Sequence, residues 1–392
     1  MKKNNQMFWF NFRIISVLLI FVFGFIILLI VSFIIKGNWI ICGGSTSVAP
    51  ILTQVNQFYH KHDQNKSDFL YNALGSNAAS TGIQLNTYSI GFESKNVAFS
   101  KNYLRFEIAK DYVIVLFHLP NNLHFVNSQD QIKANPDLKY GLEIKQKNSQ
   151  LNILKTIYEK QTTWKTFFNN SNVESKVVSP TSSKIKGSLN KKIATYTREA
   201  GSGTRSYFET SVLKGNSNHA SVATSNGAML NSIENTPSSV GFLSFSYIKK
   251  IRDDIINKHL NLAILATTFT NSNKFVLPFV DGEHFSTSNK IDFNKNYQFN
   301  RPFVGLLSKK IIDEKKKFLL CLRYVFALLY TPTKKQIEDL KNPYGEVDRI
   351  ITNLGFQKLG FSDQNQNCDF NSLKEMFQKN NININQEPNW LK

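Results

Sequence analysis

The chain has 392 residues, 42% of them hydrophobic, enough to fill one large core or the cores of two ordinary lobes. Its 47 Lys and Arg against 28 Asp and Glu give a formal net charge of +19, but the basic residues are scattered and no nucleic-acid motif accompanies them, so the excess reads as composition and a nucleic-acid partner is set aside. Three cysteines (Cys42, Cys321, Cys368) form neither a disulfide framework nor a metal pattern, the seven histidines contain no His-Glu-x-x-His, and no metal or cofactor is expected.

Ile14 to Ile35 is a run of 22 residues without a charge. At about 1.5 Å per helical residue it would span the ~30 Å hydrocarbon core of a bilayer. Lys2, Lys3 and Arg13 precede it and no acid does, which places the N-terminus in the cytoplasm and the rest outside. The run is longer than a signal-peptide core and small residues are scarce at its end. Residues 1–37 are therefore expected to be a short tail and an uncleaved single-pass transmembrane anchor. A lipidated Cys42 is disfavoured, because Ile41 precedes it and Lys36-Gly-Asn38 separates it from the apolar run.

Trp39-Ile-Ile41 reads as a short strand, followed by Cys42-Gly-Gly-Ser-Thr-Ser-Val-Ala-Pro50. Ile51, Leu52, Val55, Phe58 and Tyr59 then recur at helical spacing. Ser45, Thr46 or Ser47 is expected to cap that helix, with Pro50 near its first turn. A strand, a Gly/Ser/Thr turn and a helix together aim backbone N–H groups at an anion. Gly75-Ser-Asn-Ala-Ala-Ser-Thr-Gly-Ile83 is a second loop of this kind.

Tyr112 to Phe117 is a continuous apolar run, read as a buried parallel strand. The polar stretch near 168–190 reads as surface loop. Lys192 to Tyr196 is a strand that feeds the densest segment of the chain, Thr197-Arg-Glu-Ala-Gly-Ser-Gly-Thr-Arg205. There Gly201 and Gly203 allow positive φ and close approach of a ligand. Ser202 and Thr204 offer hydroxyls, and Arg198 offers a planar fork suited to a tetrahedral oxyanion. A helix is predicted over Ser206–Leu213, with Phe208 and Val212 on one face. Lys315 to Tyr330 is a stronger helix, with Cys321 as a core thiol. Residues 361–392 are Asn/Gln-rich and read as a partly disordered tail.

In order, these segments resemble the phosphate-binding protein of ABC phosphate importers. Gly-Ser-Thr-Ser-Val-x-Pro, Gly-Ser-x…Gly-Ile and Arg-Glu-Ala-Gly-Ser-Gly-Thr-Arg carry the resemblance, and the last is the most specific. Ile157-Tyr…Trp164, Ser225-Asn-Gly227, Val240-Gly-Phe-Leu-Ser244, Asn300-Arg-Pro-Phe303 and Leu354-Gly-Phe-Gln-Lys-Leu359 match weaker family segments in the same order, over roughly residues 38–360. The resemblance implies an α/β, two-lobe periplasmic-binding-protein fold of type II that closes about a hinge. Lobe 1 would be 38–113 plus 303–360 and lobe 2 would be 114–302, with crossings near Tyr112–Leu119 and Tyr297–Phe303.

The resemblance further implies inorganic phosphate as ligand, and permease subunits with an ATPase as partners. Its ligand contacts fall on Thr46, Ser47, Ser76, Arg198, Ser202, Gly203 and Thr204. Arg205 would instead pair with an acid, and the bland alternative for Arg198 is a structural ion pair with Glu199. Two acids of well-studied relatives are missing. In Asn96-Val-Ala-Phe-Ser-Lys101, Ser100 and Lys101 are read where Ser-Asp would stand, and Ala200 replaces the aspartate before Gly-Ser-Gly-Thr. Ser100 is taken as a hydrogen-bonding participant. An aspartate there accepts the proton of monohydrogen phosphate and rejects sulfate, so its loss bears on selectivity.

The expected role is therefore that of a membrane-anchored extracellular receptor, not an enzyme. No Gly-x-Ser-x-Gly elbow surrounds Ser76 or Ser202, and no histidine stands in a triad context. Two alternatives stay open: a receptor for another oxyanion such as sulfate or molybdate, and a surface adhesin or structural module that kept the fold and lost the ligand.

Overall fold

The computed structural model describes residues 39–65, 67–120, 124–126, 141–142, 150–170, 176–178, 189–217, 219–258, 260–268, 275–279, 294–364 and 368–391, together with Val22 and Gly24. The rest of the Ile14–Ile35 run and most of the polar stretch near 168–190 lie outside these residues. Among the described residues no helix is long and apolar enough to cross a membrane.

The first lobe begins with β1 (Trp39–Gly44), which runs into α1 (Ala49–His62). The buried face of α1 is Ile51, Leu52, Val55, Phe58 and Tyr59, as the spacing predicts, and Pro50 sits in its first turn. No hydroxyl caps it. The N-cap is Val48, and the Ser45 hydroxyl instead accepts the Ser47 N–H at 3.1 Å, so the turn closes on itself before the helix starts. Next come β2 (Asp68–Ala73), α2 (Asn77–Gln84) and β3 (Ile90–Glu93). β1 is parallel to both β2 and β3.

β4 (Tyr103–His118) is 16 residues long. After it come β5 (His124–Val126), β6 (Gly141–Leu142), α3 (Gln150–Lys160), α4 (Trp164–Asn170) and β7 (Lys176–Val178). β8 (Ala194–Arg198) leads to α5 (Gly203–Tyr207), which continues as a π-helical turn over Phe208–Leu213. Then follow β9 (Ser221–Ala223), α6 (Asn226–Glu234), β10 (Ser239–Ser244), α7 (Ile248–Asn257), β11 (Leu262–Leu265), β12 (Thr267–Thr268) and β13 (Phe275–Val276). The chain ends with β14 (Asn300–Ser308), α8 (Lys315–Leu329), α9 (Lys334–Glu338), α10 (Glu346–Asn353), β15 (Gln357–Lys358) and α11 (Phe370–Lys379).

Two apolar clusters organise these elements. One is built from residues between Tyr112 and Phe299. The other takes Ile40 to Ala109 and then Phe303 to Leu391, with both Cys42 and Cys321 buried in it. The fold is thus mixed α/β with two lobes, and β4 belongs to both. Its first half pairs antiparallel with β14 and β15, and its second half with β10 and β11. The Tyr112–Phe117 run is therefore not a parallel strand. It is buried because both faces are covered, and that cover produces the same unbroken apolar pattern in an antiparallel partner set.

The chain changes lobes at Asp111 in β4 and at Asn300–Arg301 in β14, the first a little earlier than the expected Tyr112–Leu119. At that point Asp111 and Arg301 are both fully buried. Arg301 donates to Asp111 Oδ2 through Nε at 3.1 Å and Nη2 at 2.7 Å, and Ser244 Oγ donates to Oδ1 at 2.8 Å. Burial pushes the Asp111 carboxyl above its ordinary range, and Arg301 opposes that shift.

The C-terminal residues overturn the expectation of disorder. β15 pairs with Ala109 and Lys110, and the Leu359 N–H donates to the Ile108 carbonyl. Gln364 and Asp369 then bond the backbone of Glu107 and Arg105. Leu373, Phe377, Ile382, Trp390 and Leu391 are buried in the first lobe's cluster. The Asn/Gln composition hid an apolar residue every few positions, and these suffice to dock the segment along the open edge of β4.

Two stability tests follow from this packing. Phe377→Ala removes a fully buried ring and is expected to destabilise lobe 1 by about 3–5 kcal/mol in denaturant unfolding. An unchanged midpoint would mean the tail is not docked in solution. Asp111→Ala leaves Arg301 buried without its partner and is expected to cost about 3–5 kcal/mol; a loss under 1 kcal/mol would remove the pair from the hinge.

Candidate functional site

The loops of interest leave the C-terminal ends of β1, β2, β3 and β8, where open α/β sheets form their ligand crevices. Gly75 (φ +96°) and Gly201 (φ +84°) both take the left-handed backbone that glycine permits. They bring two loops from different lobes together, and the Ser76 N–H donates to the Gly201 carbonyl at 3.1 Å. Gly203 serves differently from expectation. It has no positive φ and begins α5, but a Cβ there would overlap the hydroxyls of Ser76 and Ser94. It is glycine for space, not for dihedral freedom.

The hydroxyls meet at this point. Ser47 Oγ lies 3.2 Å from Thr204 Oγ1, across the cleft. Ser45 Oγ donates to Ser94 Oγ at 2.8 Å, and Ser76 Oγ lies 3.1 Å from Ser94 Oγ. Ser45, Ser47, Ser76, Ser94 and Thr204 are all buried. Ser202 is the N-cap of α5, and its hydroxyl accepts the Arg205 N–H at 3.4 Å. The first N–H groups of that helix, at Gly203 and Thr204, have no acceptor within it.

Arg198 is fully buried. Its Nε and Nη2 both donate to Glu199 at 2.8 Å, its Nη1 donates to Asn226 Oδ1 at 2.7 Å, and Nη2 also reaches Thr46 Oγ1 at 3.4 Å. Arg198 is thus ion-paired with Glu199, as the structural alternative expects, and it also faces the first loop. Arg205 pairs with Glu209 at 2.9 Å, as expected. Asn226, in the first turn of α6, was not predicted as a site residue, although Ser225-Asn-Gly227 had been noted for its resemblance.

The structure does not bring Ser100 to this cluster. Its hydroxyl accepts the Asn102 N–H at 3.1 Å in the turn before β4, and Lys101 is exposed. Ser94 stands in the site instead. It is buried, accepts from Ser45, and receives Arg301 Nη1 at 3.2 Å on its hydroxyl and 3.1 Å on its carbonyl. Sequence reasoning misses Ser94 because no motif marks it; the one signal is position, since Ser94 directly follows the end of β3 as Ser45 directly follows the end of β1. The next residue, Lys95, donates to Asn77 Oδ1 at 2.6 Å.

The arrangement is rich in donors and nearly balanced in charge. Arg198 is set against Glu199, Arg301 against Asp111 and Arg205 against Glu209. Such a site can hold a small anion by dipoles, and among the described residues at it no nucleophile is paired with a base. Among the described residues no cluster of His, Cys, Asp or Glu could hold a metal. A separate cleft of about 630 Å³ lies between α1 and the turn before α10, lined by Phe58, Lys61 and Leu340 among others; none of the loop residues lines it.

The PBP superfamily domain matches residues 38–283. Among solved structures, the chain is similar to a candidate phosphate ABC transporter substrate-binding protein with bound phosphate from Clostridium perfringens, at 18% identity and a TM-score of 0.49, covering 82% of this chain and 99% of that one. It is also similar to an ABC-type phosphate transport receptor from Vibrio cholerae, at 20% identity and a TM-score of 0.48, covering 81% and 99%. Neither carries residue roles across to this chain. No curated protein matches at a significant level.

Gly203→Ala tests the closed geometry directly. The added methyl is expected to hold the two lobes apart, and small-angle scattering should then report a larger radius of gyration than for the parent under the same conditions. An unchanged profile would mean that the loops do not meet in solution.

Proposed function

The chain belongs to the PBP superfamily, and from that premise we propose that it is an extracellular receptor that captures inorganic phosphate between its lobes and delivers it to an ABC permease. The observation that carries this reading is the junction of loops from separately packed lobes: Ser47 with Thr204, and Gly203 pressed onto Ser76 and Ser94. Taking a phosphate ion out of water is unfavourable by several kcal/mol per charge unless many donors replace its hydration shell. Hydroxyls, the first N–H groups of α5 and the remaining N–H bonds of Arg198 supply such donors from both sides. Because the donors are divided between lobes, the ligand binds the closed form best and draws the lobes together.

The proposed contacts are Thr46, Ser47, Ser76, Ser94, Arg198, Ser202, Gly203 and Thr204. The hinge would be the Asp111 and Asn300–Arg301 crossings, with residues 39–111 and 301–391 in one lobe and 112–300 in the other. Residues 1–37 would anchor the receptor in the cell membrane beside its permease and ATPase.

One feature favours a second oxyanion. Both oxygens of Glu199, the acid that adjoins Arg198, already accept from that arginine. Glu199 is therefore not free to take the proton of monohydrogen phosphate, which weakens discrimination against sulfate.

Calorimetric titration with phosphate and with sulfate decides between them. Phosphate is expected to bind more tightly; equal affinity, or sulfate binding alone, would overturn the phosphate assignment. Arg198→Ala should weaken phosphate binding by roughly 1.5–3 kcal/mol, the range of a charge-assisted hydrogen bond. An unaltered affinity would exclude Arg198 from the site.

A further inference from the structure

The end of lobe 1 remote from the loops carries an apolar face that the function above does not use. β1 and β2 are in register with Ile41 beside Leu70, so the two side chains lie on the same side of the sheet. Trp39 shares that side by alternation. The opposite side, Ile40, Cys42 and Phe69, is core. At the loop end of β1 the outer side is covered, since a Cβ on Gly43 would overlap the Tyr88 ring. At the start of β1 it is not. Trp39 is 49% exposed, Ile41 42%, Leu70 41%, and Leu85, just beyond α2, 70%.

What lies against this face follows from where the chain comes from. Trp39 is separated from the apolar run ending at Ile35 by Lys36-Gly-Asn38 alone. The four steps from Ile35 to Trp39 reach about 13–14 Å at most when extended. The headgroup layer occupies roughly 5–8 Å on each side of the hydrocarbon core. If the run spans the bilayer, the linker therefore holds Trp39 at or just above headgroup depth, the zone where tryptophan is favoured. Charge around the face is balanced: Lys310 donates to the Gln84 carbonyl next to Leu85, and Lys309 and exposed Lys101 flank the neighbouring strand ends, against Asp313, Glu314 and Asp68, which the register sets beside Trp39.

We propose that the Trp39, Ile41, Leu70 and Leu85 face rests in the interfacial layer of the bilayer, so that lobe 1 is seated on the lipid surface with the loop end of its sheet held away from it. The inference rests on the anchor reading above. A protein held at one end by a flexible tether would tumble. One seated by this face presents its cleft in a fixed orientation, and the fixed lobe is the one nearest the membrane.

The full chain is reconstituted into vesicles of phosphatidylcholine with 30% phosphatidylglycerol, with and without brominated acyl chains, as parent and as Trp39→Phe. Alkaline carbonate extraction, run in parallel, reads the anchor by itself. The expected result is retention on the vesicles and a brominated-lipid quench that is larger in the parent than in Trp39→Phe. Ile41→Asn/Leu70→Asn should lower the Trp39 share of that quench at least twofold while leaving extraction and phosphate titration unchanged. A retained protein with equal quenching in parent and Trp39→Phe overturns the seated face and leaves the anchor standing. Release by carbonate overturns the anchor, and the proposal with it. Protein-concentration-dependent crosslinking through this face would assign it to a second copy and also overturn the proposal.

Discussion

The rest of the molecule depends on one strand that serves two cores. β4 runs for 16 residues, gives its first half to one sheet and its second half to another, and changes allegiance at a buried Asp111–Arg301 pair. Both charges are out of water, so each is tolerable only while the other is in place and their remaining atoms are bonded. Ser244 and the Ser94 carbonyl meet those needs, one from each lobe. The pair therefore ties the hinge chemically to Ser94, a residue of the loop cluster. Opening or closing the cleft cannot leave it untouched.

That coupling explains why the site carries so little net charge. Burial lowers the Arg301 pKa, and the nearby Arg198 charge adds to that shift while Asp111 opposes it. An unbalanced pair of cations would stabilise the open state, in which water could reach them. Glu199 and Asp111 remove that bias, and in the proposed role an anion would be recognised by hydroxyls and N–H groups. Such groups are specific in direction and weak in long-range pull. The cradle is thus assembled from geometry more than from charge.

Much of the outline was legible in the sequence because it is local. The Gly-Ser-Thr turns, the buried stripe of α1 and the helix around Cys321 each express themselves within a dozen residues. The parts that were not legible are those decided across the fold. An unbroken apolar run such as Tyr112–Phe117 reports burial on two faces and is silent on strand direction. Ser94 carries no motif of its own, and its place depends on three other loops arriving beside it. The missing hydroxyl cap on α1 reflects a turn that used Ser45 internally. In the C-terminal segment, composition outweighed position: the asparagines were counted, and the spacing of Leu373, Phe377 and Ile382 was not.

The wrapped C-terminus has a consequence for biogenesis. Lobe 2 is one uninterrupted stretch of chain, so its contacts can form as soon as that stretch has emerged. Lobe 1 is assembled from segments on either side of lobe 2, and its core is not complete until Trp390 and Leu391 join Tyr59 and Phe326 in it. Until then β3 and β4 lack β14, the strand that pairs with both, and leave open edges and apolar faces to their surroundings. Maturation should accordingly proceed from the inside of the chain outward. The half-built N-terminal portion would be the species that a chaperone must shield while it waits.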